Sequence, residues 1–66
     1  MNLTVNGERR EVESGTTLGV LVVDVAGRVE GTAAAVNGEL VPRSAWASTV
    51  LGGDDRVELL TARPGG

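Results

Sequence analysis

Leu3 and Val5 alternate with polar neighbours, and the Asn6-Gly7 pair that follows is a strong hairpin signal. Glu8 to Glu13, carrying Val12, reads as the returning strand. Ser14-Gly15-Thr16-Thr17 then offers hydroxyl groups that can accept hydrogen bonds from the free N–H groups at a helix start. Leu18, Leu21, Val22 and Val25 recur at helical spacing, and Gly27 suits the stop. Valine lowers helix propensity, but Gly19, Val20 and Val23 complete no period-2 pattern, so the spacing predicts a helix.

After a polar loop through Arg28, Glu30 and Gly31, the run Ala33 to Val36 is small and apolar, as expected of a central strand packed closely against the helix. Asn37-Gly38 turns the chain into a short strand, Glu39-Leu40-Val41, which Pro42 ends. Arg43 to Ala47 has room for a single helical turn before Thr49-Val50-Leu51, and Gly52-Gly53-Asp54-Asp55 reads as a loop. Arg56 to Leu60 forms the last strand, with Val57 and Leu59 on one face and Leu60 on the other. Strands surrounding one early helix predict an α+β domain, with a mixed sheet of four to five strands packed on that helix. The domain is expected over residues 1–62, followed by a flexible tail over 63–66.

With 66 residues there is room for one core, and a core of this size leaves a margin on the order of 3–5 kcal/mol. The sequence contains neither cysteine nor histidine, so disulfides, thiolate–imidazole zinc sites and cysteine or histidine nucleophiles are excluded. The net charge of −3 is the wrong field for a polyanion, which argues against nucleic acid as a partner. The first seven residues read as a strand entering a turn, not as an export signal, and the apolar stretch from Leu18 to Val23 is too short to span a bilayer. A soluble cytoplasmic protein with no membrane partner is the expectation. All six basic residues are arginine. Without lysine, isopeptide self-conjugation is closed off.

Catalysis needs converging acids, bases or nucleophiles, and this chain is poorly equipped for it. Asp54-Asp55 reads as a solvated turn and not as a metal site; Gly52-Gly53 lacks the lysine and the helix of a phosphate loop. Trp46, the sole aromatic residue, fits a core cap better than an exposed anchor. Gly65-Gly66 is different, because two glycines add nothing to a core and cost entropy if ordered. A frayed end is the bland reading. The functional one is a side-chain-free tail that enters a narrow channel and presents its α-carboxylate to a partner enzyme. Such a carboxylate is ionised at neutral pH and a poor electrophile, so it must be activated, for instance as an acyl-adenylate.

Val36-Asn37-Gly38-Glu39-Leu40-Val41-Pro42-Arg43-Ser44-Ala45-Trp46 resembles the central signature of the ThiS sulfur carriers, and the Gly-Gly end and total length fit as well. The likeness is greatest over Ala35 to Trp46 and Asp54 to Gly66; the order of elements is that of the ubiquitin-like β-grasp fold. The resemblance implies a protein co-substrate and not an enzyme, with no bound cofactor or metal and monomeric when free. An E1-like adenylyltransferase (ThiF-type) would consume ATP to adenylylate Gly66, and a cysteine desulfurase or rhodanese-type donor would supply sulfur for its thiocarboxylate. Thiazole synthase (ThiG-type) would receive that sulfur during thiamine biosynthesis. By position, Gly66 bears the activated carbonyl and Gly65 the extended backbone beside it. Arg63 and Pro64 are less typical of the family; Pro64 stiffens the tail and removes one N–H. Leu60, exposed by alternation, is the first candidate for docking and Leu40 the weaker one, ordinary surface leucines being the alternative. Carriers for molybdopterin or cysteine synthesis, and a binding module whose Gly-Gly end is incidental, are the competing readings.

Overall fold

The two Asn-Gly pairs form the turns that their composition predicts, with φ of 51° at Asn6 and 52° at Asn37, each followed by a glycine in the same left-handed region. Around them a computed structural model, which describes residues 1–62, has strands β1 (Asn2–Val5) and β2 (Glu8–Glu11), helix α1 (Leu18–Ala26), and strands β3 (Thr32–Val36) and β4 (Glu39–Val41). A 3₁₀ helix (Arg43–Ser48) and strand β5 (Arg56–Thr61) complete the order. β2 is two residues shorter than its polar pattern suggests, although Val12 stays tied to Met1 through N–H to C=O at 2.9 Å.

The sheet order is β2-β1-β5-β3-β4. β1 and β5 run parallel at its centre and the other neighbours are antiparallel, giving the mixed sheet expected, with five strands. Thr17 caps α1, its hydroxyl accepting from Val20 N–H at 3.3 Å, and Gly27 ends it at φ 74° by donating to Val23 C=O. Leu18, Leu21 and Val22 pack onto Leu3, Val5, Ala34 and Val57 of the sheet, with Leu51 and Trp46 closing the side. Val25 falls short of the predicted face and is partly exposed, while Val20 and Val23 face outward.

Trp46 is buried and its indole Nε1–H donates to Val41 C=O at 2.9 Å, which makes it a core cap and leaves no exposed anchor. Asp55 ties the loop before β5: one carboxylate oxygen accepts from Gly52 N–H at 2.7 Å and the other from Asn37 Nδ2 at 3.0 Å. No helix among the described residues is long and apolar enough to cross a membrane.

Candidate functional site

Two asparagine side chains hold β5 in place. Asn37 Oδ1 accepts from Arg56 N–H at 2.8 Å and Asn6 Oδ1 accepts from Leu59 N–H at 2.8 Å, so each turn lends a side-chain rung to the strand it flanks. Alternation along β5 then separates Val57 and Leu59, which face the helix, from Arg56, Glu58 and Leu60 on the outer face.

The register brings further apolar groups beside Leu60. Ala33 of β3 pairs with Leu60, and Ala35 pairs with Glu58 on one side and Leu40 of β4 on the other. Leu40, Ala35, Ala33 and Leu60 therefore form one diagonal strip across three strands, around a shallow depression that Glu58 borders. Leu40 and Leu60 are each 75% exposed. The solvated face of a half-buried sheet ordinarily carries polar side chains, and here a contiguous apolar strip stands in their place.

Leu60 has the exposure that its place in the alternation predicts, and Leu40 shares its face. Ala33 and Ala35 correct the sequence reading: of the alanine run only Ala34 is buried against the helix side, and its two neighbours belong to the outer strip. Three consecutive alanines conceal alternation, because small apolar residues are tolerated on either face. Beyond Leu60 the last anchor is Ala62, whose N–H donates to Gly31 C=O at 2.8 Å. The strip thus ends two residues before the tail, whose Arg63, Pro64, Gly65 and Gly66 lie outside the described residues.

A parallel β1–β5 pair at the centre of a mixed sheet, crossed by one helix, defines a small ubiquitin-like β-grasp domain. The chain belongs to the ThiS family, whose model matches residues 3–66. It is similar to the thiamine biosynthesis protein ThiS of Geobacter metallireducens seen in a crystal structure, at 32% identity over the whole of both chains and a TM-score of 0.83. An NMR solution structure of a thiamine biosynthesis protein from the same organism matches at 30% identity and a TM-score of 0.78, covering all of this chain and 88% of that one. No curated protein matches the chain significantly.

Proposed function

We propose that this chain is the sulfur carrier of thiamine biosynthesis, a protein co-substrate acting in the cytoplasm, with the carboxylate of Gly66 as its reactive group. The observation that carries the reading is membership of the ThiS family along a match that runs to residue 66. The apolar strip on β4, β3 and β5 supports it, since the strand that carries Leu60 leads straight into the tail.

The chemistry belongs to the partners. An E1-like adenylyltransferase of the ThiF type transfers AMP from ATP to the Gly66 carboxylate and releases pyrophosphate, turning a resonance-stabilised anion into an acyl group with a good leaving group. A persulfide from a cysteine desulfurase or rhodanese-type donor attacks the carbonyl and expels AMP. A thiol then attacks the donor's sulfur in the resulting acyl disulfide; a new disulfide forms between that thiol and the donor, the bond to the acyl sulfur breaks, and Gly66 leaves as the thiocarboxylate. Thiazole synthase of the ThiG type takes that sulfur into the thiazole ring. Gly65 lets the backbone pass close to the enzyme walls, Pro64 and Arg63 thread behind it, and Leu60 with Leu40 docks the domain so that the tail lies in the channel.

Intact-protein mass spectrometry after incubation with ATP, the adenylyltransferase and a sulfur source tests the reading. Replacement of one oxygen by sulfur at Gly66 is expected, and a chain lacking Gly66 should remain folded and unmodified. An unchanged mass in the full chain overturns the carrier function. Sulfur loading without transfer to thiazole synthase would move the protein to a molybdopterin or cysteine pathway.

A further inference from the structure

β5 is paired along both edges for only part of its length. Its backbone groups at Arg56, Glu58, Leu60 and Ala62 point toward β3, a phase set by the bonds from Asn37 N–H to Arg56 C=O at 2.7 Å and from Ala62 N–H to Gly31 C=O at 2.8 Å. Val57, Leu59 and Thr61 therefore address the opposite edge. There Val57 C=O receives Asn6 N–H at 2.9 Å, and Leu59 N–H is taken by Asn6 Oδ1. β1 contributes nothing further, because its register with β5 covers Thr4–Arg56 and Val5–Val57 before the chain turns into β2. Among the described residues, the next rung, Leu59 C=O and Thr61 N–H, has no backbone partner.

That rung opens on a cleft walled by Asn6, by Val25 and Ala26 at the end of α1, and by Arg28. Arg28 is exposed and makes no ion pair among the described residues. The outer edge of the sheet is built differently: β2 reads Glu8-Arg9-Arg10-Glu11, all exposed, and a charged edge discourages pairing with another strand. The β5 edge keeps one donor and one acceptor in the open, with a single cation beside them.

The geometry points to strand addition at this edge: Leu59 C=O and Thr61 N–H bind an extended segment of the protein that acts on the tail, and Arg28 binds an acidic side chain of that segment. The partner's identity rests on the sulfur-carrier reading above. Charge and position argue for this occupant. The cleft offers one cation that is unpaired among the described residues, and a segment laid here runs beside the strand that leads to the tail, which would fix the tail's direction of entry. A second copy of this chain fits less well, because a two-fold pairing along this edge would bring both Arg28 side chains into one cleft.

The test titrates the full chain, Arg28→Glu and Thr61→Pro with a ThiF-type adenylyltransferase, and follows amide exchange at Thr61 by NMR. Thr61→Pro removes the N–H without taking a backbone bond from the free domain, and Arg28→Glu provides a second variant should the proline disturb the strand. Protection of Thr61 N–H in the complex, with affinity lowered about tenfold or more by each folded variant, is the expected result. Binding that leaves Thr61 exchange and both variants unchanged overturns strand addition while the carrier function stands. Absence of both binding and adenylylation in the unmodified chain overturns the two together. Protection of Thr61 that grows with concentration of the chain alone would make a second copy the occupant and also overturn the proposal.

Discussion

The two faces of β3 and β5 share the same backbone and carry opposite duties. On the helix side, Ala34, Val57 and Leu59 face Leu18, Leu21 and Val22; on the outer side, no element among the described residues covers Ala33, Ala35, Leu60 and the neighbouring Leu40. Adjacent residues thus divide into those that hold the domain together and those left to solvent. Leu59 and Leu60 make the point most directly: the same side chain one position apart packs against the core on one face and is exposed apolar surface on the other.

Breaking the inner face should have the largest effect. Leu21→Ala leaves a cavity at a site 1% exposed and should cost about 2–5 kcal/mol, comparable to the whole stability of a domain this small; urea unfolding followed by circular dichroism measures it. Trp46→Phe should cost about 1–3 kcal/mol, since it removes the indole hydrogen bond to Val41 C=O and part of a buried ring, and the same titration reads it. The outer face should behave in the opposite way. Leu60→Ser and Leu40→Ser should change stability by less than about 0.5 kcal/mol yet slow adenylylation about tenfold at limiting enzyme. Equal losses of stability and adenylylation would erase the division between the faces. The exposed Arg10–Asp24 pair, at 3.0 Å and with side chains 42% and 65% exposed, should matter least. Asp24→Ala is expected to cost about 0.2–1 kcal/mol, and less in high salt.

Most of this division can be read from residue types, because alternation in Arg56 to Leu60 separates the two faces wherever large apolar and charged residues differ. It fails at Ala33 to Ala35, where all three residues are the same and hydrophobicity carries no phase. The Asn-Gly pairs announce their turns through local backbone preference. That Asn6 and Asn37 also hold β5 depends on strand order, which only tertiary packing decides: Asn6 and Leu59 are 53 positions apart. Helical spacing identifies Leu18, Leu21 and Val22 as core but overestimates Val25, which sits in the last turn and is 36% exposed. The tail reading rests on two terminal glycines that lie outside the described residues, while the cleft beside β5 leaves no trace in composition or spacing.

Among the described residues, the strand at the middle of the sheet is the last of the seven elements to leave the ribosome. Until residues 56–61 have been synthesised, the β1–β2 and β3–β4 hairpins have no strand between them, and α1 has no complete surface on which to lie. Two isolated hairpins and one short helix are individually unstable in water, so vectorial synthesis gains no early foothold here. The sheet can close only when its centrepiece arrives and pairs with the first strand.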